Sequence, residues 1–326
     1  MAMQSGQEHH TLKLNYSSET LTKGLGFEFQ KGDIVCASYP KSGTTWCQQI
    51  VHQLRSKGDM NFTDINKVVP FIDAASDLGV DLKSDQAELF APPRTFKTHF
   101  SWEWIPKTLS KSDELNAHYL YITRDPHDVA CSAYEYFSDV IFSSDEISPS
   151  KYVEIWSTPS HSHPARKAGP IPHVASWYRA AQLYPKNILF LFYEDVQDDL
   201  AGAVRKIGNF VGLNDREDFE ERIKIATDQS SFSFMKKYND VYNKECSPIK
   251  KHYSFINKDR TNKGVMGRGR SFFGDEISKK LDGIIQTHFN KEFGNHINTY
   301  ADFRNLAKTN PTLNLFLPCN GNYEKN

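Results

Sequence analysis

Cysteine is scarce in this chain of 326 residues, with five occurrences at positions 36, 47, 131, 246 and 319. The number is odd, the spacings are wide, and no two cysteines stand in a Cys-x-x-Cys pair. Disulfide frameworks and cysteine zinc sites need closer and more regular spacing. We therefore exclude both and expect reduced thiols.

The chain also lacks an excess of either charge and any long apolar run. Lysine plus arginine number 39 against 40 for aspartate plus glutamate, so no broad basic field exists to hold a nucleic acid. The N-terminal "MAMQSGQEHH" has no apolar signal-peptide core, and runs such as "ILFLFY" are too short to cross a bilayer. We expect a cytoplasmic protein with neither nucleic-acid nor membrane partners.

What the chain does have is an alternation of short apolar runs with helical patterns. "DIVCAS" precedes "WCQQIVHQL", and "AHYLYIT" precedes "RDPHDVACSAYEYF", where Asp125 suits an N-cap and Pro126 a first helical position. "NILFLFYE" precedes "DVQDDLAGAVRKIGNFVG", which carries an apolar stripe at Leu200, Val204, Ile207 and Val211. Between the first two units, "RTFKTHF" alternates as a strand does.

Strands interleaved with helices predict an α/β fold, with a central, mainly parallel sheet flanked by helices and ligands at the carboxyl ends of the strands. The length suits a single domain over residues 1–326. We expect polar or poorly determined termini at about 1–25 and 305–326.

The stretch "YPKSGTTW" (39–46) follows the first predicted strand and leads into a helix. Backbone N–H groups and the helix dipole at such a junction attract anions, so Ser42 to Thr45 form a candidate phosphate loop, with Lys41 adding charge. Lys41 precedes the glycine, so this is not the Walker A pattern GxxxxGK[ST]. An ordinary tight turn is the alternative.

Two further candidate groups lie at other strand ends. Alternation in "RTFKTHF" places Lys97 and His99 on one face, and an unpaired cation rarely lines a core. Arg124 and Ser132 could hold a second phosphate from a strand end and the helix after it, although strand-end arginines are often surface ion pairs.

These residues together resemble the cytosolic sulfotransferases. "YPKSGTTW", "KTH" (97–99), "RDPHDVACS" (124–132), "LFYED" (191–195), "SSFSFMKK" (230–237) and "NKGVMG" (262–267) occur in the order and approximate spacing of that family. The match covers nearly the whole chain. It implies an enzyme that moves the sulfuryl group of 3′-phosphoadenylyl sulfate to a hydroxyl or amine, with adenosine 3′,5′-bisphosphate as product, and a P-loop-like strand–loop–helix.

The resemblance also implies the donor site. The loop for the 5′-phosphosulfate is Lys41, Ser42, Gly43, Thr44 and Thr45, and Trp46 looks like the ring that stacks on adenine. The residues that resemble the family's 3′-phosphate site are Arg124, Ser132, Asn262, Lys263 and Gly264. The residues that resemble the family's remaining adenine and ribose contacts are Tyr193, Ser230, Ser231, Phe232 and Met235.

The residue types suit sulfuryl transfer, which depends mainly on positioning and charge stabilisation. His99, whose unperturbed pKa is about 6.5, suits the general base. Lys41 can neutralise charge on the leaving oxygen, and Lys97 can stabilise the transferring group. We expect no metal. His161, His163 and His173 lack the cysteine or carboxylate spacing of a metal site.

We expect two segments to shape the acceptor pocket. Residues 62–92 and 137–173 resemble the family's variable lids, and Trp102 and Trp104 either join the acceptor pocket or pack elsewhere. The lid aromatics are Phe71, Phe137, Phe142 and Trp156.

Two motifs depart from the family's pattern. The family has Arg-Lys-Gly followed by Gly-Asp-Trp, whereas this chain has Asn262-Lys263-Gly264 followed by Gly267-Arg268-Gly269. The arginine of the family's 3′-phosphate site is therefore replaced by Asn262, and Arg260, Arg268 or Arg270 could supply the missing cation. The family's dimer motif is not recognisable in 270–279, which leaves a homodimer open. Other candidate functions are a nucleotide-dependent kinase or NTPase, a non-catalytic nucleotide-binding protein, and a retinol dehydratase-like relative.

Overall fold

The four predicted strands are present in the computed structural model, which describes residues 16–82, 92–109, 115–140, 145–157, 169–242 and 266–318. They are β1 (Ile34–Ala37), β2 (Thr95–Thr98), β3 (His118–Thr123) and β4 (Ile188–Phe192). All neighbours run parallel, in the order β2-β1-β3-β4. The predicted α/β class is confirmed.

Helices connect and flank these strands. In chain order the described helices are α1 (Ser18–Leu25), α2 (Thr44–Ser56), α3 (Ile65–Val68), α4 (Pro126–Val140), α5 (Pro149–Ser157), α6 (Pro170–Leu183), α7 (Tyr193–Asp198), α8 (Leu200–Phe210), α9 (Phe219–Gln229), α10 (Phe232–Lys237), α11 (Arg268–Phe293) and α12 (Tyr300–Thr309). A 3₁₀ turn spans Asn239–Tyr242, and α11 is kinked at Gly274.

Side-chain capping sets two of the helix starts. Asp125 accepts a hydrogen bond from the His127 N–H at 2.8 Å, as predicted for the start of α4. The single helix predicted after β4 is instead two, because Asp199 ends α7 and caps α8 by accepting from the Gly202 N–H at 2.8 Å. In α8 the predicted stripe residues Val204 and Ile207 are fully buried.

The core lies on both faces of the sheet, because alternate strand residues point in opposite directions. Ile34, Cys36, Leu120 and Ile122 pack on one side with residues of α2, α8 and α9. Val35, Ala37, Tyr119 and Tyr121 pack on the other with residues of α4, α6, α11 and α12. Near-continuous apolar strands are what a sheet buried on both faces requires.

Each outer strand carries a short extra pairing. Beside β2, Lys97 N–H donates to Pro70 O at 2.8 Å and Ile72 N–H donates to Lys97 O at 3.0 Å. Beside β4, Phe190 N–H donates to Asn314 O at 2.9 Å. Both segments therefore belong to the folded sheet.

These pairings place parts of two segments named in the sequence analysis. Within 62–92, Val69 and Ile72 are fully buried because the chain from 70 to 73 lies along β2. At the termini, α1 lies within 1–25, and Phe316 of the C-terminal segment packs in the core beside β4. Within the described ranges, no helix has the length and apolar character needed to span a membrane.

Candidate active site

The loop after β1 turns sharply into α2. The first helical hydrogen bond runs from Cys47 N–H to Gly43 O at 3.1 Å, so the N–H groups of residues 43–46 precede the helical pattern. Gly43 has φ +113°, and a Cβ there would lie 2.9 Å from the Tyr193 ring and 3.1 Å from Ile122. Only glycine fits this turn, which presents backbone donors at the positive end of a helix.

The side chains of this loop are held by short contacts. The hydroxyls of Ser38 and Thr44 lie 2.5 Å apart, and Ser42 is buried. Lys41 adopts a positive φ of 70°, uncommon for a residue with a side chain, and its Nζ lies 4.3 Å from the centre of the Tyr136 ring. Thr45 is half-buried in the first turn of α2.

His99 follows β2 and lies against this loop. Its Nδ1 is 2.8 Å from Ser38 O. A carbonyl can only accept, so Nδ1 carries the proton and Nε2 is the acceptor nitrogen of the neutral ring. The strand ends of β1 and β2 thus place an imidazole with a defined tautomer beside the candidate anion loop.

Lys97 and His99 share one aromatic neighbour, as their predicted common face requires. Lys97 Nζ lies 4.4 Å from the Phe71 ring centre, and the His99 ring meets the same ring edge-on at 5.1 Å. Lys97 is 8% exposed. The cation is therefore held against a ring beside the imidazole.

Two buried residues contact His99: Asp73, which sequence reasoning missed, and His173, which it considered only as a metal ligand. Asp73 accepts from the His99 N–H at 2.8 Å and from the Thr98 hydroxyl at 2.6 Å, and burial raises the pKa of Asp73 to about 7. His173 donates from Nε2 to His99 O at 3.2 Å and accepts at Nδ1 from the Tyr121 hydroxyl at 2.9 Å. Burial lowers the pKa of His173 to about 4, so it stays neutral.

The ends of β3 and β4 form the other half of the site. The Arg124 guanidinium lies 4.4 Å from the centre of the Tyr193 ring and 3.3 Å from an Asp128 carboxylate oxygen. Trp46 lies 5.0 Å from Tyr193 and donates from Nε1 to Ser230 O at 2.8 Å. Arg124, predicted to bind the 3′-phosphate, therefore lies in one contiguous group with Trp46 and Tyr193, the two aromatic side chains predicted to contact adenine.

Among the predicted donor-binding residues, Arg124 Nε and Ser230 Oγ are buried and lack a hydrogen-bond partner within the described ranges. Unpaired buried polar groups are costly, and a polar ligand is one way to satisfy them. The residues present here thus fit a nucleotide with phosphate groups.

The remaining predicted contacts are more scattered. Ser231 caps α10 by accepting from the Phe234 N–H at 3.3 Å, Met235 is buried in a cluster against which Trp46 packs, and Phe232 is 40% exposed. Ser132 is half-buried on α4. Asn262, Lys263 and Gly264 lie outside the described residues.

Asp128 joins Arg124 to the start of α11. Its carboxylate accepts from the N–H groups of Gly267 at 3.0 Å and Gly269 at 2.8 Å. A Cβ on Gly269 would lie 2.3 Å from the His127 carbonyl, so this departure from the family's tryptophan allows a close backbone approach. The backbone at 267–269 is thereby fixed beside Arg124.

The arginines offered as substitutes for Asn262 already have carboxylate partners. Arg268 pairs with Glu135, and Arg270 makes two bonds to Asp282, at 2.9 and 2.7 Å. Arg260 lies outside the described residues. Arg124, by contrast, lies against the ring of Tyr193, which is predicted to contact adenine.

The carboxylates after β4 have structural partners. Glu194 accepts from the Asp125 N–H at 2.9 Å and the Tyr300 hydroxyl at 3.0 Å. Asp195 pairs with Arg304 at 2.5 Å and with Lys308 at 3.1 Å. These two carboxylates tie helix α12 to the strand end.

The described residues contain no group of three or more His, Cys, Asp or Glu side chains that could hold a metal ion. His173 is buried in α6, whereas His161, His163 and Phe142 lie outside the described residues. Trp102 meets Trp177 at 5.2 Å within the core and not in the candidate site, and Trp104 is 40% exposed.

The family model for the sulfotransferase domain matches residues 31–294, most of the chain, and the chain belongs to this family. The resemblance to its cytosolic members is thereby confirmed.

Curated relatives and solved structures agree with this assignment. The amine sulfotransferase of Oryctolagus cuniculus is 27% identical over 80% of this chain and 81% of its own length. Sulfotransferase 1C2 of Rattus norvegicus is 30% identical over 68% of this chain and 71% of its own length. Mouse sulfotransferase SULT7A1, solved in complex with PAP, shares the fold with a TM-score of 0.60 at 24% identity, over 90% of this chain and 94% of that one.

Proposed function

We propose that this enzyme transfers the sulfuryl group of 3′-phosphoadenylyl sulfate to a hydroxyl, in a phenol or an alcohol, or to an amine of a small, largely apolar acceptor. Membership of the sulfotransferase family supports the reaction type. The observation that carries the assignment of roles is the 2.8 Å contact from His99 Nδ1 to Ser38 O, which sets a basic nitrogen next to an anion loop.

The donor takes the crevice at the carboxyl edge of the sheet. Ser42 to Thr45 and the N–H groups at the start of α2 hold its 5′-phosphosulfate, with Lys41 beside them. Trp46 and Tyr193, whose rings contact each other at 5.0 Å, form one aromatic surface against which the adenine packs. Arg124, with Ser132 and the Lys263-Gly264 segment, holds the 3′-phosphate.

The reaction needs one proton transfer and one displacement. His99 Nε2 takes the proton of the acceptor hydroxyl as its oxygen forms a bond to sulfur, while the bond from sulfur to the 5′-phosphate oxygen breaks. Lys41 neutralises the charge that develops on the leaving phosphate oxygen, and Lys97 stabilises the transferring group.

The other candidate functions have less support. A kinase or NTPase would use the carboxylates after β4 to hold a metal ion, but Glu194 and Asp195 are bonded to Tyr300 and Arg304 instead. Retinol dehydratase in complex with retinol and PAP matches at 22% identity and a TM-score of 0.57, which is a likeness of fold.

A labelled-sulfate transfer assay against phenols, catecholamines, steroids, retinoids and aliphatic alcohols tests the function. Adenosine 3′,5′-bisphosphate should also raise the melting temperature with or without magnesium, because a ligand of the native state stabilises it. Stronger stabilisation by ATP with magnesium, and no sulfate transfer to any acceptor, would favour the NTPase alternative.

We infer that the chain works in the cytoplasm, without nucleic-acid partners, and that a single sulfotransferase domain extends over the whole of residues 1–326. The segment 270–279, where the family's dimer motif is not recognisable, forms the kinked start of α11. Sedimentation velocity would establish whether the enzyme dimerises by another surface.

A further inference from the structure

Asp73 lies opposite the end of β2 because the preceding residues run along that strand. Lys97 N–H donates to Pro70 O at 2.8 Å, and Ile72 N–H donates to Lys97 O at 3.0 Å. This register brings the next side chain, that of Asp73, to the point where β2 ends and His99 begins.

The Asp73 carboxylate then binds the two residues at that point. One oxygen accepts from the Thr98 hydroxyl at 2.6 Å, and the other accepts from the His99 N–H at 2.8 Å. Because β2 ends at Thr98, the His99 N–H lies beyond the strand and takes Asp73 as its acceptor. Asp73 is fully buried, so water does not compete for these contacts.

His99 is thus held at three points. Asp73 holds its N–H, His173 holds its carbonyl at 3.2 Å, and Ser38 holds its ring at 2.8 Å. The ring contact fixes the tautomer only while the backbone stays in place, because a small rotation of the residue would lengthen the bond to Ser38. The backbone contacts are therefore coupled to the chemistry of the ring.

A carboxylate suits this position better than a neutral amide does. It offers acceptors to both donors, whereas an amide would place an N–H₂ group against one of them. An acidic side chain is costly at a fully buried position. Burial raises the pKa of Asp73 to about 7, and the charge of Lys97 acts in the opposite direction. That cost indicates a role beyond filling space.

We propose that Asp73 is a positioning residue for catalysis, which holds His99 so that Nδ1 stays bonded to Ser38 O and Nε2 stays aimed at the acceptor. The proposal rests on the assigned role of His99 as general base. Asp73 itself does not touch the substrate.

The test compares Asp73→Ala and Asp73→Asn with Asp33→Ala. Asp33 is also buried, accepts from the Gln30 N–H at 2.7 Å and pairs with Arg94, but it lies at the amino end of β1, away from the site. Asp73→Ala should lower kcat per folded molecule by about ten- to a hundredfold, because misplaced reacting groups lose rates of that order.

Three readouts separate positioning from a general loss of stability. Asp73→Ala should leave the affinity for adenosine 3′,5′-bisphosphate unchanged. Asp73→Asn should recover part of kcat, because its amide oxygen can accept from the His99 N–H while its N–H₂ group faces the Thr98 hydroxyl. Nitrogen-15 NMR of the histidine rings should show the Nδ1–H tautomer of His99 in the wild type and a mixture in Asp73→Ala. This NMR readout does not depend on finding an acceptor.

A wild-type kcat per folded molecule in Asp73→Ala, an unchanged His99 tautomer, or an equal loss of kcat in Asp33→Ala would each overturn the proposal. If Asp73→Ala does not fold, Thr98→Val removes one of the two donors to Asp73 in a side chain of the same shape. It should lower kcat severalfold, and an unchanged kcat would also overturn the proposal. A wild type that transfers sulfate to no acceptor would contradict the proposed function and leave the NMR test of Asp73 standing.

Discussion

The two halves of the site each depend on a buried carboxylate, but the two carboxylates have different partners. Asp73, beneath His99, accepts from a hydroxyl and from an N–H only 26 residues away. Asp128, beside Arg124, accepts from a guanidinium and from N–H groups 139 and 141 residues away. The carboxylate of the reacting half therefore binds residues nearby in sequence, whereas the carboxylate of the 3′-phosphate half binds the start of α11, far along the chain.

The largest expected effect separates the halves by function. His99→Ala should lower turnover by about a hundredfold or more, since general-base catalysis contributes about 10² to 10⁴. The affinity for adenosine 3′,5′-bisphosphate should not change, because His99 belongs to the reacting half. Steady-state kinetics and calorimetry check both points, with the exposed His296→Ala as control. Retained turnover would remove His99 from the mechanism.

Arg124→Ala should weaken nucleotide binding more than it lowers turnover. Arg124 lies 4.4 Å from the Tyr193 ring, so we expect it to make the main contact to the 3′-phosphate. The preference for adenosine 3′,5′-bisphosphate over AMP should fall by about 1.5–3 kcal/mol, the value of a charge-assisted hydrogen bond. Calorimetry with both nucleotides measures it, and the exposed Arg179→Ala serves as control. An unchanged preference would mean that the 3′-phosphate is held elsewhere.

How much of this comparison the sequence could predict depends on the kind of contact. The loop at 39–46, His99 and Arg124 could be predicted, because parallel strands bring their carboxyl ends to one edge whatever lies between them. Asp73 could not, since it acts on a backbone N–H from a segment with no periodic pattern. The pairing of Arg268 with Glu135 was also hidden, because sequence patterns do not reveal which distant charges meet.

A third prediction concerns pH and the reacting half. Burial raises the pKa of Asp73 from 3.8 to about 7. Because the folded pKa is the higher one, the contribution of this group to stability is fully present below about pH 4 and is lost as pH rises through 7. Between pH 5 and pH 7 the wild type should lose about 2 kcal/mol relative to Asp73→Asn.

Urea unfolding of both proteins across this range measures the difference. Parallel stability curves would mean that Asp73 is ionised at its ordinary pKa in the folded protein. The same scan with Asp128→Asn serves as the comparison from the other half of the site.

The smallest expected effect sharpens the contrast. Asp128→Asn keeps one acceptor but turns an amide N–H₂ toward Arg124 or the start of α11, so the 3′-phosphate site should loosen. We expect the affinity for adenosine 3′,5′-bisphosphate to fall by about 1 kcal/mol, the value of one hydrogen bond, while kcat at saturating donor and the affinity for AMP stay the same. A fall in kcat alone would show that the two halves are not independent.

The pairing of Asn314 with β4 has a consequence for where the folding unit ends. The family match stops at residue 294, yet Phe190 N–H donates to Asn314 O at 2.9 Å and Phe316 is buried. A chain cut after 294 would leave an apolar strand with unpaired N–H and C=O groups, which is a template for edge-to-edge aggregation. Light scattering should show that such a truncated protein self-associates while the full chain does not. We therefore expect the segment after residue 294, which lies outside the family match, to protect the edge of β4 from aggregation.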